Sequence, residues 1–142
     1  MIYLDNAATT QVCPEAAQAA VRAMTRDFGN PSSRYPLGKA AASAMAAARS
    51  EVAAALGCGA DEVFFTSCGT EGDNWAIQGA LELGRRRGRH IITTAFEHSA
   101  VLEPCKALER EGYEVTYLKP GKSGHISMAD LRNALRPDTV LV

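Results

Sequence analysis

Apolar positions recur at helical spacing over residues 14–28, where Ala17, Ala20, Val21, Met24 and Phe28 fall on one stripe. Pro14 suits a first helical position, whose missing N–H costs nothing, and Gly29 suits a helix stop. After the turn-rich Asn30-Pro31-Ser32-Ser33, a second helix is predicted over residues 37–56. It is rich in alanine, carries Ala41, Met45, Ala48, Val52 and Leu56 on one stripe, and meets Gly57 as its terminator. From there the period changes. The run Val63-Phe64-Phe65-Thr66 is short, apolar and bounded by polar residues, as a buried strand is. A helix over 71–83, a strand over 90–94 and a helix over 100–111 follow, the last with Val101, Cys105 and Leu108 toward the core. Residues 113–118 alternate in the manner of a more exposed strand. Ser127, with Asp130 three residues on, begins a short helix, and Thr139-Val140-Leu141-Val142 starts another strand. Strands alternating with helices predict an α/β fold, a mostly parallel sheet with helices on both faces. The last apolar run meets no turn or polar tail, so the expectation is an unfinished sheet in a truncated domain.

Composition narrows the classes. The 142 residues suffice for one core and are too few for two ordinary domains. A 46% hydrophobic, 22% charged chain with net charge -1 is that of a soluble globular domain, without a strong field for nucleic acid or an anionic membrane. No stretch approaches the ~20 apolar residues of a membrane helix, nor does the start resemble a signal peptide, so a cytoplasmic protein is expected. The basic run Arg85-Arg86-Arg87-Gly88-Arg89 reads as a solvated turn. Cys13, Cys58, Cys68 and Cys105 show neither zinc spacing nor a disulfide framework, and no metal is expected. Each cysteine is expected to be a small buried side chain.

Candidate chemistry sits at two places where a strand runs into a helix. In Ser67-Cys68-Gly69-Thr70-Glu71-Gly72 a helix N-terminus offers free amides to an anion, Gly69 permits close approach, and the Ser67 and Thr70 hydroxyls can donate to phosphate. Alone, such a segment is as readily a turn and a cap, since it lacks the lysine of a Walker loop and the G-x-G-x-x-G pattern. His98 follows the 90–94 strand and would emerge at the same sheet edge. An imidazole there can stack on an aromatic ring and move protons, or simply hydrogen-bond to Glu97 or the backbone near a helix start. His90 and His125 read as structural.

Four stretches together carry a resemblance. Tyr3-Leu4-Asp5-Asn6-Ala7-Ala8-Thr9-Thr10 resembles the opening of class V pyridoxal-phosphate (PLP) enzymes. Gly29-Asn30-Pro31-Ser32-Ser33 with Gly38, the segment from Phe65 to Asn74, and Glu97-His98-Ser99-Ala100-Val101 resemble the cysteine desulfurases of the NifS/IscS group. The resemblance implies an incomplete large domain of the type I PLP-dependent transferase fold over residues 14–142, with residues 1–13 an arm contributing to a small domain. It implies PLP held through its phosphate by Gly69 and Thr70, and His98 stacked on the pyridine ring and moving protons. Asn6 to Thr9 would lie near the substrate. The implied reaction converts L-cysteine to L-alanine and an enzyme persulfide, supplying iron–sulfur cluster assembly through a sulfur-acceptor protein, in a homodimer.

Two positions depart from that pattern: Cys68 stands where the family has glycine, and Tyr35 where many members have histidine. None of Lys39, Lys106, Lys119 and Lys122 matches the family's Schiff-base lysine, and none of the four cysteines its nucleophile. These residues alone are therefore expected to be inactive. The alternatives are part of another class V aminotransferase-like enzyme, or a non-catalytic half-domain that binds a partner.

Overall fold

A computed structural model describes residues 2–142. They divide into two compact units, separated in sequence between Phe64 and Phe65.

In the first unit, α1 (Pro14–Thr25) starts at the expected proline but ends before Phe28, with Arg26 as its C-cap. Its apolar stripe is not covered. None of its residues is buried, and Val21, Met24 and Phe28 stand 55%, 70% and 67% exposed. Periodicity reports which face can be buried, and burial also needs a partner surface. The long α2 (Pro36–Leu56) ends as expected at Gly57, whose φ of 72° closes the helix in the left-handed region. Its buried residues are Gly38 and Ala53, whereas Met45, Val52 and Leu56 of the expected stripe are exposed. An alanine-rich helix has few large side chains to choose its face, so backbone approach chooses instead. A Cβ on Gly38 would come within 2.6 Å of the Asn30 and Ser33 carbonyl oxygens, and one on Gly29 within 2.3 Å of Leu37 O. The two glycines thus let the 30–33 turn lie against the helix. Asn30 shapes that turn, its Oδ1 accepting from Ser32 N–H at 2.9 Å. A 3-10 turn, Ala60–Glu62, follows α2, and Arg49 Nε donates to Val63 O at 3.0 Å.

The strand expected over residues 63–66 does not form: the segment is extended but outside the sheet, and Phe64 and Phe65 are 67% and 52% exposed. The local pattern is right for a strand. A strand, however, is defined by its hydrogen-bonded neighbours, which propensity does not supply.

The second unit contains α3 (Gly69–Gly84), β1 (His90–Thr94), α4 (Ser99–Arg110), β2 (Glu114–Leu118), α5 (Met128–Ala134) and β3 (Thr139–Leu141). The three strands form a parallel sheet in the order β2-β1-β3, with His90 opposite Glu114 and Thr94 opposite Leu118. Strand alternation distributes the core. Ile91 packs with Ile77 and Leu81 of α3 and with Cys105 and Leu108 of α4. Ile92, one residue on, lines a cavity with Leu118 and with Met128 and Leu131 of α5. Helices therefore cover both faces. Ile91 and Leu108 are 1% and 2% exposed, each contributing about 1.5–3 kcal/mol of burial. Ser127 caps α5, its Oγ accepting from Asp130 N–H at 3.2 Å.

His90 is fully buried in the central strand, with Nδ1 2.7 Å from Thr139 Oγ1 of β3 and Nε2 2.8 Å from Thr116 Oγ1 of β2. Its structural reading holds. The cysteine expectation holds only for Cys105. Cys13 and Cys68 are exposed and Cys58 is partly so. The two exposed thiols are the N-caps of α1 and α3, positions at the surface whatever the residue's usual preference.

Candidate functional site

Helix α3 begins two residues earlier than the pattern indicates, which makes Gly69 and Thr70 its first two residues and Cys68 its N-cap. The first bond of its ladder runs from Gly72 N–H to Cys68 O at 3.2 Å, leaving the Gly69, Thr70 and Glu71 amides ahead of it. A Cβ built on Gly69 would meet no atom within 4 Å, so the space over this helix end is open. Amides ahead of the helix ladder, with a glycine beside open space and a threonine next to it, fit a phosphate group. The backbone of Cys68 (φ -165°, ψ 171°) is extended and available to any residue, so a side chain in place of glycine strains nothing.

Ser67, expected to donate to a phosphate, is engaged within its own turn. Its hydroxyl donates to Glu71 Oε2 at 2.8 Å and its N–H to the same oxygen at 2.6 Å. These two bonds, the backbone N–H foremost, hold the Glu71 carboxyl below the usual range. Glu71 is the residue that sequence reasoning missed, although a glutamate at the third helical position is a capping signal. The Cys68 thiol is also pushed below its ordinary value, chiefly by the Glu71 backbone N–H and then by the Ser67 hydroxyl. It makes no standard cap bond to the helix.

His98 is the N-cap of α4, its Nδ1 accepting from Ala100 N–H at 3.1 Å. Glu97 does not bond to it, accepting instead from Thr94 Oγ1 at 2.7 Å. With Ala95 N–H donating to Leu118 O at 2.8 Å, the turn from β1 into α4 is tied at three points. The starts of α3 and α4 share a groove of about 450 Å³ lined by Thr70, Asn74, Ser99, Ala100 and Glu103. His98 adjoins this groove through Ser99 and does not line it. Asn6 to Thr9 belong to the other unit, in a turn where the Tyr3 hydroxyl lies 2.9 Å from Asp5 O and 3.0 Å from Thr9 O. Lys39, Lys106, Lys119 and Lys122 are all exposed, and Lys106 pairs with Glu103 at 2.7 Å.

A parallel sheet with the starts of α3 and α4 brought to one groove defines an open α/β domain, an architecture whose ligand sites lie beyond the carboxyl ends of the strands. Comparison with known proteins makes the class specific. A family model described as aminotransferase class-V matches residues 2–142, and the chain belongs to that family. The cysteine desulfurase IscS of Methanosarcina thermophila is 50% identical over 141 residues, a match covering 99% of this chain and 35% of the relative. The cysteine desulfurase IscS of Escherichia coli O139:H28 (strain E24377A / ETEC) is 48% identical over 144 residues, covering 99% and 36%. The chain thus spans about a third of the length of these curated relatives. Among solved structures, a NifS-like protein matches with TM-score 0.91 at 38% identity, covering 97% of this chain and 38% of that one. A structure of SspA in complex with cysteine matches with TM-score 0.86 at 37% identity, covering 96% and 40%. No helix among the described residues is long and apolar enough to cross a membrane.

Proposed function

We propose that these residues form the N-terminal portion of a PLP-dependent cysteine desulfurase. In that enzyme the Gly69 and Thr70 amides and the Thr70 hydroxyl bind the cofactor phosphate, and His98 packs over the pyridine ring. The observation that carries the reading is the open, amide-lined start of α3 sharing a groove with the start of α4. Its support is the near-50% identity to enzymes of that name. When bound, PLP supplies the electron sink for the chemistry at the substrate's carbon and sulfur atoms. The chain's own residues hold the phosphate, orient the ring from one face and keep the β1–α4 turn rigid. L-Cysteine is the proposed substrate, L-alanine and an enzyme persulfide the products, and a sulfur-acceptor protein serving iron–sulfur cluster assembly the partner. The active form is a cytoplasmic homodimer, with residues 1–13 in its small domain and 14–142 in its large one. No lysine here corresponds to the one that joins the cofactor in this family, so these 142 residues alone do not turn over cysteine.

The test is an amide NMR titration with PLP and, separately, with pyridoxal lacking the phosphate. PLP should shift the Gly69, Thr70 and Glu71 amides while pyridoxal leaves them in place. Equal shifts with both, or none at residues 69–71, would refute the phosphate site.

A further inference from the structure

Glu71, in the first turn of α3, reaches back to the residue at which the chain bends into the helix. Its Oε2 accepts from the Ser67 N–H at 2.6 Å and from the Ser67 hydroxyl at 2.8 Å. Thr66 Oγ1 donates to Cys68 O at 3.0 Å, and the Gly72 N–H donates to the same carbonyl at 3.2 Å. Asn74 Nδ2 donates to Thr70 O at 2.8 Å. The side chains around the bend thus bond one another and its carbonyls, whereas the Gly69, Thr70 and Glu71 amides stay ahead of the helix ladder. Within this set Glu71 is the clamp on Ser67, where the bend begins.

We propose that Glu71 is a positioning residue of the phosphate site, a role that rests on the cofactor reading above: its two bonds to Ser67 fix the bend so that the first amides of α3 stay free for the anion. The bonds act through geometry, and the charge opposes them. A carboxylate in the first turn of a helix is itself an anion at the positive end of the dipole. The Ser67 N–H foremost, and then the Ser67 hydroxyl, hold this carboxyl below the usual range, so it is ionised at neutral pH. A phosphate arriving at the same helix end meets that charge. Geometry and charge therefore separate on substitution. Glutamine keeps an oxygen able to accept both Ser67 bonds and carries no charge, whereas alanine loses the bonds and the charge together. Were Glu71 only a helix cap, its replacement would change stability and leave the affinity for phosphate as it was.

Inorganic phosphate, titrated into the full chain at constant ionic strength and followed by NMR at the Gly69 and Thr70 amides, tests the role. Glu71→Gln should bind phosphate as tightly as the original chain or ~2-fold more tightly, since one exposed like charge is gone. Glu71→Ala should bind roughly 10-fold more weakly, because two bonds that order the bend are lost. Ser67→Ala removes only the hydroxyl bond and should fall between, roughly 3-fold weaker. Exchange of the Ser67 amide without ligand should be slow in the original chain and in Glu71→Gln, and ~10-fold faster in Glu71→Ala. Any of three results would overturn the role: undiminished phosphate affinity in Glu71→Ala, a Ser67 amide that exchanges no faster there, or Glu71→Gln as weak as Glu71→Ala. Phosphate binding by the original chain would still uphold the site in each case. No shift at residues 69–71 in either the original chain or Glu71→Gln would instead remove the cofactor reading, and this role with it.

Discussion

Replacing His90 with leucine tests the sheet on which both helix starts are mounted. The imidazole ties β1 to both neighbours, through Thr116 Oγ1 at 2.8 Å and Thr139 Oγ1 at 2.7 Å. Leucine removes both bonds, each worth about 1 kcal/mol net. The two hydroxyls then fare differently. Thr139 Oγ1 still accepts from Arg136 N–H at 2.9 Å, whereas Thr116 keeps no other side-chain partner among the described residues. Stranding that hydroxyl adds about 1–3 kcal/mol, so the total loss is about 3–5 kcal/mol. In His90→Leu/Thr116→Val the stranded group is gone, and about 1–2 kcal/mol should return. Urea unfolding followed by far-UV circular dichroism at about pH 8 measures both differences. A loss under about 0.5 kcal/mol, or a double variant no more stable than the single, would refute the bridge. Acid provides an internal check. Burial, with the Arg136 charge added, pushes the His90 imidazole below its ordinary value, against the opposing pull of Asp138 and Glu114. The native state thus favours the neutral ring, and the unfolded chain binds the proton more readily. Stability from this group is complete above the unfolded value of about 6.5 and falls as pH drops toward the native one, by at most about 1.4 kcal/mol per pH unit. That share of the slope should vanish in His90→Leu.

Cys68→Ser should stabilise the second unit by about 0.5–1 kcal/mol in urea unfolding, because a hydroxyl accepts from the first amides of α3 more strongly than a thiol does. Cys68→Asp should stabilise it comparably, yet weaken PLP binding in the NMR titration by setting a carboxylate beside the phosphate. Iodoacetamide followed by peptide mass spectrometry should label Cys68 well before Cys105. The former is exposed with a lowered thiol value, and the latter is 2% exposed with its value raised by burial. Ser127→Ala should destabilise α5 by about 1 kcal/mol, seen as faster exchange of the Asp130 amide.

What the sequence disclosed follows the range of the forces concerned. The helices over 36–56 and 99–110, the 90–94 strand and the Ser127 cap depend on neighbours within a turn or two, and the pattern located each of them. The greater exposure of β2 was also legible in the alternation of its residues. Features that depend on distant partners were misread, two of them plainly. Residues 63–66 carry strand-like side chains without entering the sheet, and the α1 stripe at Val21, Met24 and Phe28 remains exposed. At the candidate site, residue types pointed to Gly69, Thr70 and His98, but hydrogen-bond pairing did not follow from type alone. The Ser67 hydroxyl donates a hydrogen bond to Glu71, and His98 accepts from Ala100 rather than bonding to Glu97. Each pairing depends on angles that only the folded turn fixes.

The same pairing limits how tightly these residues hold a cofactor. A helix N-terminus contributes about 0.3–2 kcal/mol toward an anion, and hydrogen bonds to a charged phosphate about 1.5–3 kcal/mol each. Two or three such bonds with the helix end gain about 3–11 kcal/mol, and association costs at least about 4 kcal/mol. At most about 7 kcal/mol remains, which places the dissociation constant no tighter than about 10 μM. PLP should therefore exchange rapidly in the titration and be lost on gel filtration, leaving colourless protein. Lys39, Lys106, Lys119 and Lys122 are exposed, and none lines the groove at Thr70, so none is poised to retain the cofactor covalently. A yellow complex that survives the column and disappears on replacing one of those four lysines would contradict both the affinity argument and the assignment of the joining lysine to another part of the enzyme.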